Sequence, residues 1–280
     1  MLSYRHSYHA GNFADVFKHV VLTSALTYLV QKDRKLCYID THAGAGTYDL
    51  RSPEALKTAE NALGIAQLRD VVDAPQPVAT YLELVREFNA GNTLAGSPGS
   101  RWLAASILRP ADRLILCEAH PSDLPKLQQQ FARDRRVYCH AEDSYRFAPG
   151  LVPPIERRGL IFMDPSFELE DEYDTAVNTI KTMHRRFATG SYALWYPIIN
   201  ERTSVTLEQQ LEASGIRDIL HLALRVADAR SYSGMYGCGM ILINPPWTLR
   251  GEMELALPYL TRKLGQEQSA SFVIEQWVDE

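Results

Sequence analysis

The run Leu36-Cys37-Tyr38-Ile39-Asp40-Thr41-His42-Ala43-Gly44-Ala45-Gly46 constrains this chain more than any other. Apolar residues read as a short buried strand that ends in an acid and drives straight into a glycine-rich turn. Glycines let a backbone turn sharply and approach a ligand with no β-carbon in the way. A dinucleotide fingerprint requires a third glycine at position 49, where this chain has Asp49, and a negative side chain is unwelcome beside a pyrophosphate. An acid at the strand end before the turn instead suits a cationic or amine-bearing ligand.

Strands and helices alternate through the rest of the chain. Apolar runs predict strands over 113–117, 137–140, 160–163, 192–196, 219–226 and 240–244. Helical spacing predicts helices over 12–31, 53–68, 78–88, 100–108, 124–132, 173–187 and 207–214. Such alternation predicts a mainly parallel sheet with helices on both faces. Ligands of these folds sit beyond the carboxyl ends of the strands, where strand order reverses. Acids recur at those ends: Asp40, Glu118, Asp143 and Asp164. Residues 48–95 interrupt the alternation with helical segments and no strand between them, and read as a helical subdomain inserted into a single domain spanning 1–280.

Composition narrows the class of partner. With 46% hydrophobic residues the chain has ample material for a packed core, and 29 basic against 34 acidic residues leave it at −5. Such a surface does not bind nucleic acid through bulk charge, so a nucleic-acid substrate needs a local basic patch. Arg133-Asp134-Arg135-Arg136, Arg157-Arg158 and Arg185-Arg186 are candidate sources for one, or ordinary solvated surface. The four cysteines form no CxxC pair, which predicts reduced thiols and no zinc ribbon. With no signal-like N-terminus and no long apolar segment, the expected location is the cytoplasm, away from any membrane.

Individual residues then take candidate roles. Glu118, after its strand, can accept from both hydroxyls of a ribose, or cap a helix. Asp143 can accept from an adenine amine, with Ser144 beside it, or lie in a surface loop. Asp164-Pro165-Ser166-Phe167 is the most chemically specific tetrapeptide. Its acid and the Pro165 carbonyl can face one exocyclic amine while Phe167 offers a stacking face; an ordinary turn is the alternative. Asn244-Pro245-Pro246-Trp247 resembles it superficially but follows the last sheet strand and reads as structural. His9, His19 and His42 match no metal-ligand spacing, and Ser97 lacks a nucleophile elbow.

These residues together resemble a known family. The order is His9-Ala10-Gly11-Asn12, Asp15, Lys18-His19, Asp40-Thr41-His42-Ala43-Gly44-Ala45-Gly46, Gly96-Ser97-Pro98, Glu118-Ala119-His120-Pro121, Arg158-Gly159-Leu160, Asp164-Pro165 and Tyr192-Ala193-Leu194-Trp195-Tyr196-Pro197. It is similar, over essentially the whole chain, to the RlmJ family of bacterial large-subunit ribosomal-RNA adenine-N6 methyltransferases, whose members have also been labelled as proteins of external-DNA catabolism. The resemblance implies a class I, Rossmann-like methyltransferase with a mostly parallel seven-stranded sheet and S-adenosylmethionine as donor. It implies a cofactor pocket lined by His19, His42, Ser100, Glu118, Asp143, Ser144 and Asp164. Tyr4 would touch the RNA and Asp164 would be the catalytic acceptor, with Pro165 and Phe167 at the base. The expected protein is a monomer that acts on ribosomal RNA without a metal.

Two departures stand out: Ser166 and Phe167 replace the family's Pro and Tyr, and Ser144 replaces a Gly. The rival readings are a DNA-adenine methyltransferase or DNA-utilisation protein, a nicotinamide dehydrogenase, and a non-catalytic RNA-binding relative.

Overall fold

Central strands of this chain are apolar at successive positions, not alternate ones, and the computed structural model, which describes residues 5–91, 93–169, 171–230 and 234–278, shows why. The strands are covered on both faces. Chain order begins with α1 (Phe13–Leu29), β1 (Cys37–Asp40), β2 (Thr47–Asp49), α2 (Pro53–Thr58), α3 (Gln76–Phe88), β3 (Gly96–Pro98) and α4 (Ser100–Ile107). It continues through β4 (Arg113–Cys117), α5 (Leu124–Gln130), β5 (Val137–His140), α6 (Ser144–Leu151), β6 (Gly159–Met163) and α7 (Glu172–Arg186). It closes with β7 (Ser191–Ile198), α8 (Glu201–Glu212), β8 (Ile219–Arg225), β9 (Gly237–Ile243), α9 (Leu249–Leu264) and β10 (Ser271–Val278).

The main sheet has eight strands in the order β10-β8-β9-β7-β6-β1-β4-β5. Strands β5, β4, β1, β6 and β7 are parallel neighbours, and β9 runs antiparallel between β7 and β8. From β1 the chain steps outward to β4 and β5, then returns to β6 on the other side of β1. Strand order therefore reverses between β1 and β6, and right-handed crossovers place the connecting helices of the two halves on opposite faces. The expected seven strands become eight because Ser271–Val278 adds an edge strand antiparallel to β8.

Helix α1 is buried all round, with Thr27 and Tyr28 alone outside its buried set. Such a helix is covered on every side, and α1 indeed packs against α3, α4 and α9. Asn12 caps it by accepting from the Asp15 N–H at 2.9 Å.

Residues 48–95 depart from the predicted pattern in two ways. The helix expected over 53–68 stops at Thr58, because Ala59 adopts φ +51°, and two 3-10 turns follow (Glu60–Leu63 and Ile65–Leu68). Those turns bring Gly64 so close to the Gly11-Asn12 backbone that a β-carbon there would lie 2.0 Å from the Gly11 carbonyl oxygen. The segment also starts and ends on a β2–β3 ribbon, in which Tyr48 pairs with Ser97. Helices α6 and α9 were not predicted; each holds an internal proline, Pro149 and Pro258, which interrupts the helical signal. Cys37, Cys117, Cys139 and Cys238 are all free thiols.

Asn244-Pro245-Pro246-Trp247 is structural, as expected. Because β9 is antiparallel, this turn emerges at the opposite edge of the sheet from Asp164, and Asn244 Nδ2 donates to the Ala188 and Gly190 carbonyls at 2.8 and 2.7 Å. No helix among the described residues is long and apolar enough to cross a membrane.

Candidate active site

A cavity of about 910 Å³ opens at the carboxyl ends of β1, β4, β5 and β6, where strand order reverses. Its size is at the upper end for a single small-molecule site, enough for two ligands side by side. His19, His42, Ser100, Glu118, Asp143, Ser144, Asp164 and Pro165 all line it. Residues read from six separate segments of sequence therefore converge.

One wall is the glycine turn. Gly44 and Gly46 have φ of +59° and +106°, and a β-carbon on Gly46 would collide with the Gln130 side chain at 1.8 Å. Instead of opening a helix, as in a dinucleotide site, the turn leads into β2. Arg101 staples it: Nη2 donates to the Gly46 carbonyl at 3.0 Å and to the Tyr48 hydroxyl at 2.9 Å. Glu118 accepts from the Gly44 N–H and from the His120 N–H, the latter at 2.6 Å. Burial pushes the Glu118 carboxyl up, against those two backbone bonds. A desolvated carboxylate of this kind is stabilised by any hydroxyl or cationic ligand that reaches it.

Asp40 differs from the other strand-end acids. It is fully buried, and its carboxylate accepts from Tyr38 Oη at 2.9 Å, Ser100 Oγ at 2.6 Å and the His42 N–H at 3.2 Å. Its role is to fix the turn and Ser100. His42 Nδ1 lies 2.8 Å from Thr41 Oγ1, its ring meets Tyr145 at 5.1 Å, and burial pushes it down to about 4. Ser144 Oγ donates to the Thr41 carbonyl, so the replacement of the family's Gly engages the β1 loop. Asp143 stays exposed, accepting from the Tyr145 N–H at 3.1 Å.

The opposite wall carries a charge relay that sequence reading did not assign. Lys18 Nζ donates to Asp164 Oδ2 at 2.6 Å and pairs with Asp15 Oδ1 at 2.9 Å. Asp15 Oδ2 accepts from the Gly11 N–H at 2.8 Å and meets His6 Nε2 at 2.9 Å. Burial opposes the Asp15 charge, but His6 and Lys18 outweigh it and hold the carboxyl well below the usual range. Lys18 also lies 5.4 Å over the Trp195 ring. His19, one residue on, is pushed by burial down to about 3 and leaves Nδ1 without a hydrogen-bond partner among the described residues. The signal available in sequence was the spacing of Asp15, Lys18 and His19 on one face of α1.

The His9-Ala10-Gly11-Asn12 opening anchors the 48–95 segment. His9 Nδ1 meets Glu60 Oε1 and Asn12 Nδ2 donates to Glu60 Oε2, both at 2.9 Å, and the Ile65 N–H donates to the Gly11 carbonyl at 2.8 Å.

Of the other expected substrate residues, one falls elsewhere and one is not described. Tyr4 lies outside the described residues. Phe167 is 8% exposed, has φ +49° and packs its ring on Tyr173 at 4.3 Å and Trp195 at 6.5 Å, outside the cavity wall. The expected stacking face is turned into the core, where it supports Trp195.

A sheet with one antiparallel strand between its last two parallel-facing strands, a glycine turn after β1 and an acid after β4 define a class I S-adenosylmethionine-dependent methyltransferase. Residues 33–278 match the model of the family described as ribosomal RNA large subunit methyltransferase D, RlmJ. The chain belongs to that family. It is 43% identical over 279 residues to the ribosomal RNA large subunit methyltransferase J of Haemophilus influenzae, covering 99% of each chain. It is 44% identical over 264 residues to the protein of the same name from Escherichia coli K12, covering 94% of each. A crystal structure of a Legionella pneumophila protein, 36% identical, superposes with a TM-score of 0.90 over 96% of this chain and 98% of that one.

Proposed function

We propose that this chain transfers a methyl group from S-adenosylmethionine to the exocyclic N6 of an adenine in large-subunit ribosomal RNA. It would act as a cytoplasmic monomer. The observation that carries the reading is Asp164, clamped through Oδ2 by Lys18 while Oδ1 has no partner among the described residues, in the cavity that Glu118 and the glycine turn enclose.

The cavity's groups fit the donor. Glu118 suits ribose hydroxyls, Asp143 an adenine amine, and the turn with His19, His42, Ser100 and Ser144 the remaining polar groups. Bound S-adenosylmethionine supplies a methyl carbon made electrophilic by its sulfonium. The chain's own task is to prepare the acceptor nitrogen, whose lone pair is delocalised into the purine ring. Asp164 Oδ1 and the Pro165 carbonyl would accept hydrogen bonds from its two N–H groups, favouring a more tetrahedral nitrogen with the lone pair free. Lys18 holds the Asp164 carboxylate in that orientation. Asp164 would then take the proton that the acceptor nitrogen sheds on methylation, the donor's sulfur keeping the electron pair of the bond it gives up. Positioning supplies most of the acceleration, and the sulfonium needs no Lewis acid. Segment 48–95, an inserted helical subdomain in this reading, frames the acceptor side through Glu60 and Leu63.

The test is transfer of labelled methyl groups to total RNA from a strain lacking this protein, followed by nucleoside analysis, with duplex DNA as a parallel substrate. N6-methyladenosine in RNA is expected. Asp164→Ala should lower transfer by about 10³-fold while calorimetry still shows donor binding. Wild-type turnover in that variant, or label only in DNA, overturns the reading.

A further inference from the structure

The three arginine runs of the sequence are absent from the cavity, and all three lie at the far edge of the sheet. Arg133–Arg136 precedes β5, Arg157-Arg158 precedes β6 and Arg185-Arg186 precedes β7. Parallel strands have their amino ends on one side, so the topology collects these runs opposite Asp164.

The loops entering four adjacent strands, β6, β1, β4 and β5, share this character. Segments 156–158, 32–35, 109–113 and 133–136 hold ten basic residues against four acidic ones. That is an excess of six positive charges in a chain whose total is −5.

Each of three acids there is already occupied: Asp112 by Arg109 at 2.9 Å, Glu156 by Arg113 at 2.8 Å and Asp134 by Arg136 at 2.6 Å. Lys35, Arg133, Arg135 and Arg157 are exposed, and their side chains have no ion-pair or hydrogen-bond partner among the described residues. The loops also touch one another, since Arg109 Nη2 and Arg158 Nη1 both donate to the Arg34 carbonyl, at 2.7 and 3.1 Å. Burial, then the like charges of Arg109 and Arg34, pull the Arg158 guanidinium down, against the opposing pull of the Asp112 carboxylate.

A groove of about 360 Å³ crosses this edge, lined by Lys35, Arg113, Arg135, Arg136, Tyr138 and Ile155 among others. Tyr138 is 52% and Ile155 83% exposed, so an aromatic ring stands open in a groove that the unpaired side chains of Lys35 and Arg135 also line. Guanidinium forks match phosphate oxygens, and an open aromatic face accepts a base by stacking.

We propose that this amino-end edge is a second RNA-binding surface. It grips the sugar–phosphate backbone of the substrate RNA at a distance from the modified base, with Lys35, Arg133, Arg135 and Arg157 on phosphates and Tyr138 against an unpaired base. The proposal rests on RNA being the substrate. It accounts for how an acidic protein holds a polyanion: the charge that attracts the RNA is segregated from the acids that handle the methyl donor and the amine.

The test is fluorescence-anisotropy titration of a labelled large-subunit ribosomal RNA fragment across a salt series, with wild type and Lys35→Ala/Arg133→Ala/Arg135→Ala. These side chains make no internal bond, so the fold is expected to persist, checked by unchanged heat of methyl-donor binding. Each lost phosphate contact lowers the slope of log affinity on log salt by about 0.7–0.9, so the triple variant should lose about 2 in slope and at least tenfold in affinity at moderate salt. Its KM for the RNA should rise with kcat unchanged, and Tyr138→Ala should weaken affinity with the slope retained. A triple variant with wild-type slope and affinity overturns the proposal while leaving methyl transfer intact. Wild type that binds an acidic protein but no RNA overturns the proposal and the RNA reading together. RNA affinity that depends on these residues in a chain without methyl transfer upholds the surface and sinks the enzyme.

Discussion

The same four parallel strands end in opposite chemistries. Their carboxyl ends present Asp40, Glu118, Asp143 and Asp164, and their amino ends present a surplus of lysine and arginine. Sign is the lesser difference; solvation is the greater. Asp40 is fully buried with three donors, Asp15 and Lys18 are 2% and 5% exposed, and Lys18 bridges to Asp164. At the amino ends, Lys35, Arg133, Arg135 and Arg157 stand in solvent. Buried charges are expensive, so each is held by internal partners and fixed in place. Exposed charges are cheap, screened within about 8 Å at physiological salt, and free to meet an external polyanion. One edge is built for a precise small-molecule geometry, the other for a long-range and forgiving contact.

The largest effect that separates the two edges belongs to Lys18. In Lys18→Met the carboxylates of Asp15 and Asp164 lose their shared ammonium, and breaking a buried pair of this kind costs about 3–5 kcal/mol. Because the Asp164 side chain is 17% exposed, the lower end of that range is expected from urea unfolding. A cost below about 1 kcal/mol, the scale of a surface pair, would erase the contrast.

Next comes pH. His19 and His42 are pushed down to about 3 and about 4, so the unfolded chain binds protons that the folded chain refuses. Their contribution is complete above pH 6.5, the unfolded value, and declines as pH falls toward 4. Each contributes a slope of up to about 1.4 kcal/mol per pH unit in that window. Unfolding midpoints between pH 7 and 4.5 should flatten by this amount in His19→Asn. An unchanged slope would mean that His19 is protonated in the folded chain, with the carboxyl edge wetter than described.

The smallest effect belongs to the amino edge. Lys35→Ala and Arg135→Ala should each shift stability by less than about 0.5 kcal/mol, at low and high salt alike. A larger loss would show that these side chains have partners within the protein and sharpen the comparison against the proposed RNA surface.

Much of the scaffold was legible locally. Strand β1, its glycine turn and the acids after β4, β5 and β6 follow from runs of apolar residues ending at an acid, a pattern carried by neighbours in sequence. Helix α1 was legible from its spacing. Helices α6 and α9 were hidden by Pro149 and Pro258, and the turns after Thr58 by a positive φ at an alanine that no propensity scale marks. The site was legible in part. His19, His42, Ser100, Glu118 and Asp164 do share one cavity, whereas Asp40 is scaffold and Phe167 faces the core. A strand-end position says which edge a side chain occupies, and says nothing of whether it points to ligand or to neighbour.

By itself the sequence determined the alternation of the central strands with the helices between them, the glycines that let the β1 turn form, and the sign of charge at the ends of β1, β4, β5 and β6, because these depend on residues a few positions apart. Tertiary structure alone decided that Lys18 meets Asp164, 146 residues away, that Glu60 is clasped by His9 and Asn12, and that three scattered arginine runs share one edge. Such encounters depend on strand order and register, which are set by the packing of the whole core and written in no single stretch of chain.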